Sequence, residues 1–262
     1  MSLLLHISDT HFGTELPQVV GALVDLVHAQ RPDLLVLSGD ITQRATAAQF
    51  GRARAFLEAL PALPKLVLAG NHDVPLFNLW QRVLQPYARF RRGLGLHELA
   101  PRLDQAGFTL IGVKTTRRRR HIDGEISAEQ VEQVAAALER AAPDQLKVVV
   151  THQPLWVHRS EDLHNRCRGA DAALQRWTQA GADLFLAGHI HWPFVEPLPQ
   201  RAGSWAVNAG TAVSQRLRAG IPNSCNLIRF DRAERRCEVE RWDCPLDGQG
   251  FRRVGLQALE LS

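Results

Sequence analysis

Five short apolar runs in this chain each end in a cluster of histidine, aspartate or asparagine. The runs cover residues 3–8, 34–38, 65–69, 147–151 and 183–187. They lead into Asp9-Thr10-His11, Gly39-Asp40, Gly70-Asn71-His72-Asp73, His152 and Gly188-His189-Ile190-His191. A short apolar run without polar alternation reads as a strand buried on both faces. Between the runs the spacing turns helical. Pro17 can open a helix, because its missing N–H falls among the donors a first turn leaves unpaired anyway. Val19, Val20, Leu23, Leu26 and Val27 follow at helical intervals, and Pro32 ends the segment. Residues 47–60 and 170–180 read as further helices. Ser127 and Gln130 have capping-box spacing ahead of Val131, Val134, Ala135 and Leu138, so a helix begins there. With a strand also expected at residues 108–113, this alternation predicts an α/β layer with a largely parallel sheet.

Two stretches are less regular. Residues 75–99 suggest one helix around 79–84 and then a basic turn. After His191, short strands are expected at 194–197, 204–208, 226–230 and 237–242 with no helices between them, forming a second sheet packed on the first. Cys237 and Val239 alternate with Glu238 and Glu240, a half-exposed pattern. The tail from Asp247 to Ser262 carries no assignable pattern. No linker or repeat divides the chain, so a single domain over residues 1–262 is expected.

The strand ends matter because open α/β sheets bind ligands at the carboxyl edges of their strands. Five such edges bearing metal-type donors amount to one site gathered from across the chain. Asp9, His11, Asp40, Asn71, His152, His189 and His191 offer carboxylate, amide and imidazole groups. That set exceeds what one four-coordinate ion needs and fits two ions sharing a bridge, for which the two oxygens of Asp40 are suited. A mixed nitrogen and oxygen set favours manganese, iron, cobalt, nickel or zinc over magnesium or calcium. Two divalent ions less two carboxylates and a hydroxide leave a small positive charge, which a phosphodiester monoanion neutralises. Each motif alone has a plainer reading: Gly-Asp is a common turn, and one buried histidine is often a core residue. Their joint occurrence at strand ends does not.

Composition narrows the partners. The formal charge is +4 and the sequence pI about 9.2, which suits an anionic substrate without requiring nucleic acid. The cysteines, Cys167, Cys225, Cys237 and Cys244, form no Cys-x-x-Cys pair, and their small number in a chain this long reads as reduced and intracellular. No apolar stretch approaches the ~20 residues of a membrane helix, and no secretory signal opens the chain. A cytoplasmic protein with no membrane partner is therefore expected, with a homodimer left open.

The order D-x-H, GD, GNHD, H and GHxH resembles the calcineurin-like metallophosphoesterase family, from Leu3 to about Thr211, with every ligand position filled. The resemblance implies a four-layer α/β/β/α sandwich of two mixed β-sheets flanked by helices. It further implies that Asp9, His11, Asp40 and His191 hold one metal and Asp40, Asn71, His152 and His189 the other. The cofactors would be two divalent or mixed-valence transition-metal ions, with manganese, iron or zinc foremost. Chain length and the GNHD form look most like the bacterial class III cyclic nucleotide phosphodiesterases.

These features give an expected reaction. A hydroxide bridging the two metals attacks phosphorus, and His72, beside the ligand Asn71, protonates the leaving oxygen. Asp73 is expected to orient the His72 ring and keep it cationic. Arg216, Arg218 and His158 are candidate substrate contacts. His164 and Arg166 fall in the same segment as His158, between two ligand-bearing strands. Asn208, Gly210, Thr211 and Asn223 lie around the two arginines. Trp156 and Trp192 are candidates to stack on a base. Arg117, Arg118, Arg119 and Arg120 read either as a solvated loop or as a guide for anions. The competing functions are a phosphomonoesterase on nucleotide or sugar phosphates, then a nuclease, then a scaffold without activity.

Overall fold

The computed structural model describes residues 1–245 and 249–262. The first sheet holds β1 (Ser2–Ile7), β2 (Leu34–Leu37) and β3 (Lys65–Val67) in parallel. On its other side β10 (Asn223–Asp231), β11 (Arg236–Cys244) and β12 (Arg252–Leu259) continue it in antiparallel fashion, in the order β12-β11-β10-β1-β2-β3. The second sheet runs β4-β5-β6-β7-β9-β8, from β4 (Arg102–Gln105), β5 (Phe108–Gly112), β6 (Leu146–Val150), β7 (Leu184–Ala187), β8 (Phe194–Pro197) and β9 (Trp205–Asn208). Strands β5, β6, β7 and β9 are parallel, and the edges β4 and β8 are antiparallel.

The runs of β1, β2, β6 and β7 are rich in apolar residues because these strands are buried on both faces. In β1 and β2, Leu3, Leu5, Ile7, Leu35 and Leu37 pack against helices α1 (Pro17–Gln30), α2 (Ala47–Ala59) and α4 (Ala88–Leu94). Their alternate neighbours Leu4, Leu34 and Val36 meet Val148, Val150, Leu184 and Leu186 of the second sheet. Phe108 and Phe230 bridge the two sheets, ring centroids 5.9 Å apart. Beyond the second sheet, Val149 and Phe185 face α5 (Ala128–Glu139) and α6 (Ala170–Gln179), where Trp177 is fully buried. The result is the expected α/β/β/α sandwich of two mixed sheets. Among the described residues no helix is long and apolar enough to cross a membrane.

Several expectations are corrected. The strands after His191 do not build a sheet of their own: β8 and β9 extend one sheet, while β10 to β12 extend the other. The parallel strands are likewise divided between two sheets. The basic turn after α3 (Leu79–Leu84) is a helix, α4, because Phe90 is buried against Phe50 and anchors it, with Gly95 ending it in the left-handed conformation. The tail forms a strand, β12, although Asp247 itself lies outside the described residues. The polar edge strand β4 carried no apolar pattern. Its sign was the Ala106-Gly107 turn, both residues at positive φ, which returns the chain into β5. On β11, Glu240 is buried rather than half-exposed, paired with Arg229 and Arg253.

Where the strands end, glycines let the following loops close on one another. A Cβ on Gly188 would stand 1.9 Å from Ser8 Oγ and 2.4 Å from Asp9 Oδ2, and one on Gly70 would stand 2.1 Å from the Asp40 backbone nitrogen. Gly51, in α2, has nothing within 4 Å of such an atom. Gly51→Ala is therefore expected to stabilise the protein by about 0.5–1 kcal/mol, the helix-interior cost of glycine. Gly188→Ala is expected to destabilise by about 1–3 kcal/mol through overpacking. Urea denaturation of the two variants checks both signs.

Candidate metal centre

All five ligand-bearing loops meet at one edge of the sandwich, because the strands that launch them are parallel within each sheet. The loop after β1 carries Asp9 and His11, that after β2 Asp40, and that after β3 Asn71. From the second sheet come His152 after β6, and His189 and His191 after β7. The loops bind one another. Asp9 N donates to Gly39 O at 3.0 Å and His11 N to Asp40 O at 2.9 Å. His189 N donates to Asp9 Oδ2 at 2.9 Å, joining the two sheets. Asp9, His11, Asp40, His189 and His191 all have left-handed backbone, with φ of 54°, 42°, 48°, 70° and 54°. Aspartate and histidine enter that region more readily than most residues, and such strain persists only where surroundings enforce it.

Hydrogen bonds at the far side of the rings fix which nitrogens face inward. His152 Nδ1 donates to Ser38 O at 2.9 Å, which turns its Nε2 toward the centre, where it could serve a cation in place of a proton. That nitrogen faces Asp40 Oδ1 at 3.2 Å and Asn71 Oδ1 at 3.1 Å. His191 Nδ1 donates to Arg216 O at 2.7 Å, and its Nε2 faces Asp9 Oδ1 at 3.1 Å and His11 Nε2 at 3.2 Å. His11 Nε2 is 3.8 Å from the second Asp40 oxygen, Oδ2. His189 Nδ1 is buried without a hydrogen-bond partner. Acceptors thus converge on acceptors inside the protein, and a cation is what such an arrangement lacks. The residues fit metal ions. Asp9, His11 and His191 form one close group of donors, and Asp40, His152 and His189 another.

The titration behaviour has the same cause. Burial works to raise Asp9 and Asp40, but the neighbouring histidines hold both carboxyls well below the usual range, His191 foremost for Asp9 and His152 for Asp40. Burial works to lower His152, yet Asp40 beside it raises it to about 9. Burial lowers His189 to about 3, helped by the charge on His152. His11 is lowered by burial.

The remaining candidates separate. His72 lies at the rim, its backbone N donating to Asp40 Oδ1 at 2.8 Å. Its Nδ1 donates to Gln43 O at 3.0 Å, and Arg216 Nη1 donates to its Nε2 at 3.0 Å. Asp73 does not orient this ring. Its oxygens accept from the backbone of Gly70, Ile41 and Thr42 and from Thr42 Oγ1, a cradle that ties the loops after β2 and β3. Burial and the charge of Asp40 push its carboxyl up to about 7 against those donors. The partner expected of Asp73 is the Gln43 carbonyl, and a backbone group leaves no signal in sequence.

A cleft of about 550 Å³ opens over the centre, lined by Asp40, Asn71, His72, His164, His189, His191, Arg216 and Arg218 among others. His158 is not among the lining residues; it pairs with Glu196. Arg166 pairs with Asp171, and Trp156 donates to Glu196. Arg159 and Arg218 lie over the Trp192 ring, 4.6 and 5.2 Å from its centroid. Asn208 and Asn223 are buried and donate to backbone carbonyls. Glu161 and Asp162, which the sequence did not single out, hold Arg218 in the cleft wall, Asp162 at 2.9 Å. Arg117 and Arg120 pair with Glu125, whereas Arg118 and Arg119 are exposed.

Comparison with known proteins agrees with this geometry. A cAMP/cGMP dual specificity phosphodiesterase of Mycobacterium tuberculosis (strain CDC 1551 / Oshkosh) is 29% identical over 213 residues, 72% of this chain and 62% of the relative. A glycerophosphodiester phosphodiesterase, GpdQ, of Enterobacter lignolyticus (strain SCF1) is 38% identical over 82 residues, 27% of this chain and 29% of the relative. The chain thus spans less than two thirds of either relative's length. In fold, a dimetal phosphatase from Danio rerio superposes with a TM-score of 0.71 at 14% identity, over 100% of this chain and 99% of that one. The family model described as calcineurin-like phosphoesterase matches residues 3–193, and the chain belongs to that family.

Proposed function

We propose that this phosphoesterase is a two-metal enzyme that hydrolyses phosphodiesters, 3′,5′-cyclic nucleotides among them. The observation that carries the proposal is Asp40, whose Oδ1 is 3.2 Å from His152 and whose Oδ2 is 3.8 Å from His11. One carboxylate turned to two donor groups suits a bridge. Asp9, His11, Asp40 and His191 would hold one ion and Asp40, Asn71, His152 and His189 the other. Bound there, the ions supply Lewis acidity toward phosphoryl oxygens and an acidified water. Ser38 and Arg216 carbonyls keep the lone pairs of His152 and His191 pointed inward.

The protein's own part is to hold the ester and manage one proton. Arg216, placed between His72, His11 and Gln43 in the cleft, is suited to grip a phosphoryl oxygen. Arg218 is pinned by Asp162 and supplies a second cationic wall. Once the phosphate draws off Arg216, the Nε2 of His72 is free to take a proton from solvent and pass it to the leaving oxygen, while Gln43 retains Nδ1–H. A diester is supported by the chemistry named for both relatives. A cleft of about 550 Å³ suits a small molecule.

Three outcomes test this reading. The purified protein with manganese should turn over cyclic AMP and bis(4-nitrophenyl) phosphate with kcat/KM well above that for 4-nitrophenyl phosphate; the reverse order overturns the diester preference. His72→Ala should retain its metal and lose about 10²–10⁴-fold in kcat on an alkyl-leaving diester. The same variant should lose far less on the nitrophenyl diester, whose leaving group needs no proton; equal losses reject the acid role. Asp40→Asn should lower the metal content measured by elemental analysis and abolish turnover of every ester. Full metal occupancy in that variant would rule out the bridge.

A further inference from the structure

The segment following His72 does something that hydrolysis in the cleft does not require. Around α3 it exposes Phe77 at 78%, Leu79 at 68%, Trp80 at 80%, Val83 at 53% and Leu84 at 69%. Five large apolar side chains within eight residues is far more than the scattered exposure of an ordinary surface. The same segment is cationic. From residue 74 to residue 97 there is no aspartate or glutamate, and there are four arginines, 82, 89, 91 and 92. The tetra-arginine stretch packs onto it: Arg82 donates to the carbonyls of Arg118 at 2.8 Å and Arg120 at 2.7 Å, and Arg118 donates to Val83 O at 3.0 Å. Arg44 lies over the Phe77 ring, 5.5 Å from its centroid. Among the described residues Arg44, Arg91, Arg92, Arg118 and Arg119 pair with no carboxylate, although most arginines elsewhere on the molecule do. An unneutralised cationic rim therefore surrounds an apolar crest.

We propose that this crest, α3 with its arginine rim, docks the protein on an anionic lipid surface. Charge selects the occupant. A second copy brought face to face would press two unneutralised arginine rims together. A nucleic acid would satisfy the arginines but leave Leu79, Val83 and Leu84 with nothing apolar to meet. An anionic bilayer offers both partners at once, headgroup charge for the rim and acyl chain for the crest. Docking of this kind needs no spanning helix. The crest also adjoins the cleft: Gln43, next to Arg44, holds His72, and Ile122, just past the arginine run, lines the cleft wall. Lipid docking would thus bring the mouth of the cleft toward the headgroup layer.

Co-sedimentation with vesicles tests this on the intact protein. Vesicles of phosphatidylcholine mixed with phosphatidylglycerol should carry it down at low salt, and phosphatidylcholine alone should carry down much less. Trp80→Gln with Leu84→Gln, and separately Arg118→Gln with Arg119→Gln, should each weaken binding about tenfold or more. Hydrolysis of a soluble ester by these variants should stay at the wild-type rate, and their circular-dichroism spectra should match the wild type, the latter reporting an intact fold independently of the catalytic proposal. No sedimentation with the mixed vesicles, or unaltered binding by both variants, overturns the proposal. So does a concentration-dependent dimer that the variants abolish while vesicles go unbound, which assigns the crest to self-association. Oligonucleotide binding in place of vesicle binding likewise overturns it.

Discussion

Polar donor atoms crowded against one another at the floor of the cleft are what the rest of this structure is arranged to tolerate. Asp40 Oδ1 and Asn71 Oδ1 each lie within 3.2 Å of His152 Nε2, and Asp9 Oδ1 and His11 Nε2 stand likewise around His191 Nε2. Unpaired polar groups in a protein interior cost several kcal/mol each, and charged ones more. A proton offers partial relief: the neighbouring Asp40 raises His152, whereas burial lowers His189, helped by the charge on His152. A divalent cation would relieve every member of the set at once. Metal binding to such a site releases protons and adds stability to the fold that presents it.

Holding those atoms together requires the backbone to do what most sequences avoid. Five donor residues are left-handed, each at a cost of order 1–3 kcal/mol. The offset comes from both sheets. Cross-loop hydrogen bonds such as Asp9 N to Gly39 O and His189 N to Asp9 Oδ2 leave the loops no alternative path. Gly39, Gly70 and Gly188 remove the Cβ atoms that would collide with His152, Asp40 and Ser8. The Asp73 carboxylate adds a third constraint, pinning four donors from two loops. Gly39, Gly70, Gly188 and Asp73 are therefore structural: they make the approach of the ligands sterically and electrostatically feasible.

This division explains what was legible beforehand. The donors were legible because a buried strand is an apolar run, and the residue after it has one place to go. The four layers followed from the family resemblance, not from periodicity. Pattern alone reports burial, and Leu4 and Leu5 look alike although one faces the second sheet and the other a helix. Pairing is long-range, so nothing local told that β10 would lie beside β1 two hundred residues away. Helix α4 was hidden because its anchor is one residue, Phe90, among arginines. The roles of Asp73 and Gln43 turn on backbone N–H and C=O groups, which every residue carries, so side-chain identity could not distinguish them.

The family match ends at residue 193, and Arg216 does not fall inside it. Yet Arg216 reaches the centre twice, its carbonyl fixing His191 at 2.7 Å and its guanidinium meeting His72 at 3.0 Å. It can do so because β9 belongs to the second sheet and β10 to the first, so the chain between them must cross over the carboxyl edges where the loops converge. Asn223 clamps that crossing by donating to Thr211 and Ser214 carbonyls. The late strands thus complete a site whose ligands precede them all. Family membership follows from donors at strand ends, whereas the cleft wall is built from the crossing segment and from the loop carrying Asp162. Loops of that kind vary without disturbing a core.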